Sequence, residues 1–241
     1  MENKAIYSRN YNLRTSDFSR YDELQPHAVL DLFQDVAGLH ADILDIGFDK
    51  LINRDLIWVL VRTKFVVLKN PKMHDQCKTI TWPKQKGKVD FDREYLIVDQ
   101  KNEVLVKGIS KWVIVNYKTR RISLTRDIDY NCIIHEESNF NEPFNKIDDF
   151  DIENLPYLEQ VADYVSSDHN GHLNNINYAR YVVNIMQLKK DEHIDTFEIN
   201  YVKEVKEGEI IKNYFKKVNN IYYIKGIVND QTCYLCKVSL K

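Results

Sequence analysis

No stretch of this chain is long and apolar enough to cross a bilayer, which takes about 18 or more consecutive apolar residues. The opening residues MENKAIYSRN hold no apolar signal core, so the expectation is a cytoplasmic protein with no membrane partner. Neither sign of charge is in excess: 34 Lys and Arg against 36 Asp and Glu leave a net charge of -2. That gives no global attraction toward nucleic acid. Glycine and proline are scarce, at 7 and 5 of 241 residues, while tyrosine and phenylalanine number 15 and 10. This balance argues against disorder and for β-rich folded structure.

Cysteine is also sparse, with Cys77, Cys132, Cys233 and Cys236. The last two form a CxxC, but they sit in QTCYLCKVSL, which alternates like a strand and has no second CxxC. A metal or redox site would place the pair in a turn or near a helix start, with partners. Buried strand thiols are the expectation, and neither a metal nor another cofactor is expected.

What the chain does contain is one order of parts, written twice. Pro26 to Ile46 carries Val29, Leu32, Phe33, Val36, His40, Ile43 and Leu44 at helical spacing. Four strand-like runs follow, IWVLVRTKFVVL, CKTITWPK, FDREYLIV and VLVKGISKWVIVN, separated by turns. Asn175 to Lys190 is a second helix, with FEINYVKEV, EIIKNYFKKV, IYYIKGIV and TCYLCKVSL after it. Short strands, YNLRTSD and LEQVADYVSSD, precede the two helices. Matching RTSD to VSSD supports an internal duplication. Residues 125–156 are acidic and irregular, a long connection between residues 1–124 and 157–241. A long helix covering an antiparallel meander is the plan of a hotdog fold, so the expectation is an α+β tandem (double) hotdog.

The copies differ where chemistry would sit. From Asp17 the first reads DFSRYDELQ; from Asp168 the second reads DHNGHLNNI. By position His172 faces Tyr21 and Asn170 faces Ser19. A helix cap alone needs one Asp or Ser, so the second copy has polar groups to spare. In the following strand, Glu204 lines up with Val67, and a carboxylate inside a strand needs a partner. His172 is the natural one. An imidazole moves protons near neutral pH, and a carboxylate orients it. Gly171 allows close backbone approach, Asn side chains can hold a water or a carbonyl oxygen, and a helix N-terminus can stabilise an oxyanion. Together these suit attack of water on an activated carbonyl such as a thioester.

The same residues resemble a known family. Asp168, Asn170, His172, Asn174, Asn175 and Tyr178 match the motif D-x-N-x-H-x-N-N-x-x-Y of the plant and bacterial acyl-acyl carrier protein thioesterases, and Tyr201 and Glu204 match its later Y-x-x-E. LIWV at Leu56–Val59 and SKWVIVNYKTRRI at Ser110–Ile122 are similar to that family as well. The resemblance covers nearly the whole chain. It implies a double hotdog, hydrolysis of a long-chain acyl thioester, and a catalytic network of Asp168, Asn170, His172 and Glu204. The implied partner is an acyl carrier protein bearing a fatty acyl phosphopantetheine. Plant members often carry Cys after that Glu; here Val205 stands there, which excludes a cysteine nucleophile at that position.

Plainer readings stand beside these. Asp168, His169 and His172 lack a further well-placed ligand for a metal. His169 reads as an exposed loop residue. Asn174 and Asn175 serve either as helix caps or as substrate contacts, and Tyr178 as core. Trp58, Phe33 and Val36 either line an acyl pocket or fill the core. Lys84, Lys86, Lys88 and Arg93, like Arg120 and Arg121, are basic runs that fit either a solvated hairpin or an acidic carrier. Alternatives are a coenzyme A thioesterase, a non-catalytic acyl-thioester binder and a hotdog dehydratase. A homodimer is possible, although two hotdogs in one chain can pair internally.

Overall fold

Strand alternation and two apolar helical stripes decide the layers. A sheet with one apolar face must be covered, and each helix here is too apolar on one side to stand alone. The computed structural model describes residues 5–128, 134–168 and 171–241. Cys132, His169 and Asn170 lie outside the described residues.

The first half contains β1 (Tyr7–Asn12), α1 (Pro26–Ile43), α2 (Phe48–Ile52), β2 (Leu56–Val67), β3 (Gln76–Pro83), β4 (Asp90–Asp99), β5 (Val104–Asn116) and the short β6 (Arg121–Ile122). The second contains β7 (Tyr157–Val161), α3 (Asn175–Met186), β8 (Ile194–Tyr201), β9 (Ile210–Val218), β10 (Ile221–Val228) and β11 (Gln231–Leu240). Among the described residues, all strands join one 11-stranded sheet in the order β1-β3-β4-β5-β2-β8-β11-β10-β9-β7, with β6 beside β5. Read from either edge, the order of equivalent strands is the same. The duplication seen in the sequence is therefore a duplication of topology, and the fold is a double hotdog.

The halves meet where β2 pairs antiparallel with β8, from Arg62↔Asn200 to Val66↔Thr196. Phe65 lies opposite Phe197, and their rings stack at 5.2 Å. α1 begins with Pro26, whose fixed φ and missing N–H suit a first helical position. Val29, Phe33 and Val36 face one core cluster together with Tyr178, Val182 and Ile185 of α3. Gly108 lets α1 approach β5: a Cβ there would lie 2.3 Å from the Phe33 ring. Phe33 stacks on Tyr95, so Phe33 and Val36 are core rather than pocket residues.

Two elements end earlier than the periodicity predicts. α3 stops at Met186, where Gln187 turns left-handed at φ +44°, short of Lys190. β8 stops at Tyr201, because the N–H groups of Val202 and Lys203 both donate to the Cys233 carbonyl and the ladder cannot continue. Glu204 is thus a loop residue, with 41% of its side chain exposed, and not a strand carboxylate.

The connection between the halves is tied down. Phe65 and Gly108 face the helices, so Lys64 and Lys107 face away from them, and residues 136–150 cross that outer face. Lys84 Nζ donates to the carbonyls of Glu136 and Glu137, and Trp82 Nε1 donates to Glu137. Lys64 and Lys107 sit over the Phe140 ring, Arg62 donates to the Phe144 carbonyl, and Lys225 pairs with Asp149. Lys86 donates to the Thr125 carbonyl, and Arg93 is buried against His40 Nδ1 and Thr81 Oγ1. Lys84, Lys86 and Arg93 therefore hold contacts within the protein itself.

Glu94 anchors the same strap: its carboxylate accepts from Ser138 Oγ at 2.8 Å and from the Asn139 N–H at 3.1 Å. Burial pushes the Glu94 carboxyl up, and these bonds offset only part of that. A carboxyl whose folded pKa is raised binds its proton more readily folded than unfolded. Its stabilising contribution is full below the unfolded pKa and is lost as pH rises through the folded one. The melting temperature of the wild type relative to Glu94→Gln is expected to fall as pH rises across that window; a constant difference would contradict this.

The CxxC lies inside β11, and Cys77, Cys233 and Cys236 are buried free thiols. Burial pushes Cys77 up to about 11 and Cys233 up to about 12. Thiolates, not thiols, react with maleimide. Peptide mapping after labelling of the native protein is expected to find these three cysteines unmodified, and to find them modified after denaturation. Rapid native labelling of Cys233 would contradict the burial.

Candidate active site

Each half builds the same turn ahead of its helix. A short 3-10 turn, Thr15–Asp17 or Tyr164–Ser166, leads into a loop and then into α1 or α3. In the first copy the Ser19 N–H donates to the Glu23 carbonyl at 2.8 Å; in the second, Asp168 N–H donates to His172 at 2.7 Å. Asp22 N–H donates to Ser19, and Gly171 N–H to Asp168. Asp22 and Gly171 are both left-handed, at φ +61° and +73°. Bridges Phe18–Leu24 and Ser167–Leu173 close the two loops.

These bonds correct the match made by sequence. Asp168 corresponds to Ser19, not Asp17, and His172 corresponds to Glu23, not Tyr21. Asp17 ends the first 3-10 turn, and its carboxylate accepts the Arg14 N–H at 2.7 Å. Leu68 and Lys69 N–H groups converge on the Leu105 carbonyl as Val202 and Lys203 converge on Cys233, so Glu204 corresponds to Asn70, not Val67. The asymmetry of the copies remains: the first holds Ser19, Glu23 and Asn70 where the second holds Asp168, His172 and Glu204.

The loop of the second copy is stitched to the segment after β8. Leu173 N–H donates to the Val205 carbonyl, Glu207 N–H donates to Gly171, and His172 bridges Lys206. This brings Glu204 beside His172, with Oε2 3.5 Å from Nε2. Asp168 Oδ1 accepts the His172 N–H at 3.2 Å, so the aspartate braces the backbone that carries the imidazole. Asn174 is the N-cap of α3, and its Oδ1 accepts the Ile176 N–H. Asn175 begins the helix; its carbonyl accepts the Tyr201 hydroxyl, and its side-chain amide makes no hydrogen bond to a described residue. Tyr178 is buried, edge-on to Tyr201 and Tyr234, as expected of core.

A cavity of about 660 Å³ opens at this point. One end is lined by Asp168, His172, Asn174, Asn175 and Glu204. The other runs into the first half, between α1 at Ala37, Gly38 and Ala41 and the sheet at Trp58, Phe91 and Trp112. Trp58 Nε1 donates to the Ile46 carbonyl, which frees its ring to pack edge-on against Phe91 and Trp112. The wall is largely aromatic and aliphatic, with polar groups from both halves, Gln34, Asp42, Asp92 and Arg93 in the first and the His172 cluster in the second, the usual build of a small-molecule site. Among the described residues, no cluster of His, Cys, Asp and Glu is arranged to hold a metal ion.

Sequence reasoning missed several cavity residues. Phe91 and Trp112 lie on runs read only as strands; their inward parity on β4 and β5 was the available signal. Arg120 was read as part of a basic surface run, yet its Nη1 donates to Glu204 Oε2 at 2.9 Å.

A double-hotdog protein whose cavity joins His172 and Glu204 of one half to the aromatic side chains of the other is the class that fold and cavity define. The chain belongs to the acyl-ACP thioesterase family: the Acyl-ACP thioesterase N-terminal domain matches residues 4–129. A chloroplastic palmitoyl-acyl carrier protein thioesterase of Cuphea hookeriana is 28% identical over 76% of this chain and 47% of its own length. The chloroplastic oleoyl-acyl carrier protein thioesterase 1 of Arabidopsis thaliana is 23% identical over 96% and 69%. The chain spans about half the length of the first curated relatives it matches. Among solved structures, an acyl-ACP thioesterase from Bacteroides thetaiotaomicron superposes with TM-score 0.90, at 22% identity over 100% of this chain and 99% of that one. The 12:0-ACP thioesterase of Umbellularia californica gives 0.88, at 20% identity over 98% and 97%.

Proposed function

We propose that this protein hydrolyses the thioester of fatty acyl-acyl carrier protein, releasing the free fatty acid and the carrier thiol. The observation that carries the reading is the cavity that starts at the His172–Glu204 pair and continues into the aromatic wall of the other half. Residues 1–124 then hold the acyl chain, 125–156 connect the halves, and 157–241 supply the chemistry.

In this reading the thioester carbon lies near His172, and a water attacks it. His172, oriented by Glu204, takes one proton of the water as the C–O bond forms. The oxyanion is met by donors at the start of α3 and by the Asn175 amide, with Asn170 added by the family motif. Collapse breaks the C–S bond, and the thiolate takes the proton back from His172. Asp168 holds the His172 backbone. Val205 stands where a cysteine would be needed, and Cys233 is buried with its thiol pushed up to about 12, so neither position offers a thiolate.

Preference for the carrier over coenzyme A rests on the family, and competition tests it. Acyl-carrier thioesters are expected to suppress hydrolysis of the matching coenzyme A ester at concentrations roughly tenfold or more below that ester's own KM, a difference of about 1.4 kcal/mol. Equal competition would make the coenzyme A ester an equivalent substrate.

A further inference from the structure

We infer that Arg120 is a positioning residue for Glu204, supplied by the half of the molecule that carries none of the candidate catalytic side chains. This rests on the thioester-hydrolase reading of the cavity and adds a residue to its machinery.

The geometry comes from a turn. β5 and β6 pair as Val115↔Ile122 and Asn116↔Arg121, and residues 117–120 close the hairpin. Asn116 organises it: its Oδ1 accepts the N–H groups of Lys118 and Thr119, and its carbonyl accepts Arg120 N–H at 2.8 Å. Asp55 holds the turn from outside, accepting from the Tyr117 hydroxyl and from Lys118. Arg120 itself is left-handed, at φ +58°. That backbone suits glycine or asparagine, and an arginine there is strained. Strain of this kind persists where the side chain has a task.

The task visible here is across the cavity mouth. Arg120 and Glu204 both line the cavity. The Glu204 oxygen that accepts from Arg120 at 2.9 Å is also the one 3.5 Å from His172 Nε2. Glu204 needs such a hold because it lies past the end of β8, where no ladder bond fixes it. Among its described polar contacts are one from its own half, His172, and one from the other half, Arg120. The charge-assisted bond keeps the carboxylate turned toward the imidazole. As a pair with 59% and 41% of its side chains exposed, it adds little to stability, so its effect falls on orientation.

Arg120→Gly separates the roles, because it removes the guanidinium and relaxes the backbone at the same time. Steady-state hydrolysis would be compared for wild type, Arg120→Gly, Arg120→Lys, Glu204→Gln and the Arg120→Gly/Glu204→Gln double variant. Each would be run on an acyl-carrier thioester and on the same acyl group on free pantetheine. Arg120→Gly is expected to lower kcat roughly tenfold or more on both substrates, with KM within about twofold and an unchanged or raised melting temperature. Arg120→Lys should recover part of the loss. In the Glu204→Gln background, adding Arg120→Gly should cost less than about twofold, because the two residues act as a unit.

A loss seen only as a raised KM on the carrier substrate would overturn the inference in favour of a carrier-docking role. So would an unchanged kcat, or a loss that multiplies fully with that of Glu204→Gln. Wild-type protein that hydrolyses neither substrate would instead overturn the functional reading itself.

Discussion

Replacing His172 with alanine is expected to lower kcat for acyl thioester hydrolysis by roughly 100- to 10,000-fold, the range for loss of a positioned general acid–base. KM should change little, because in the proposed function the acyl chain lies along Trp58, Phe91 and Trp112 in the other half, away from residue 172. The fold should survive. The bonds that hold the loop, from Leu173 N–H to Val205 and from Glu207 N–H to Gly171, are made by backbone. The His172 imidazole lines an open cavity and is not locked in the core. The check is release of free thiol, with circular dichroism of both proteins alongside. A variant within about tenfold of wild type would show that His172 moves no proton.

Phe197→Ala is expected to cost about 3–5 kcal/mol of stability, the usual cost of removing a buried phenylalanine ring. Phe197 is 0% exposed and stacks on Phe65 at 5.2 Å with the ring planes 11° apart. It sits where β8 pairs with β2, so its loss opens a void on the seam between the halves. One sheet runs through both halves, so they are expected to unfold in a single urea transition shifted to lower denaturant. Two separate transitions, or a loss under about 1 kcal/mol, would mean that the halves are stable independently and the seam is not central.

The long elements were legible because their signals are local. Apolar spacing marked α1 from Pro26, and alternation bounded by turns marked β2 to β5 and β9 to β11. The order of the strands was not legible: the runs read as a meander, but β2 pairs with β5 and β8 with β11, across the sheet from their neighbours in sequence. Contacts between halves have no local signal, and there the reading went astray. Glu204 was assigned to a strand because FEINYVKEV alternates through it, but two N–H groups converging on the Cys233 carbonyl stop the ladder at Tyr201. His172 was set against Tyr21 because Asp17 and Asp168 look alike. Asp17 is in fact a local brace for Arg14, and the equivalent of Asp168 is Ser19, a residue without charge. Cations that fit either a solvated hairpin or a docking run, such as Lys84 and Lys86, hold the connection to the sheet or a neighbouring turn. Arg120 was grouped with Arg121 as surface charge, since nothing along the chain signals a partner 84 residues away.

The central claim is that one end of this cavity breaks a thioester whose acyl chain lies in the other. The most direct test is release of free fatty acid and free thiol from a panel of acyl-carrier thioesters by the wild-type protein. Equal amounts of acid and thiol, formed over many turnovers, are the predicted result. Tight binding of the acyl-carrier thioesters with no acid released would contradict it and leave the cavity as a site that holds acyl groups without cleaving them.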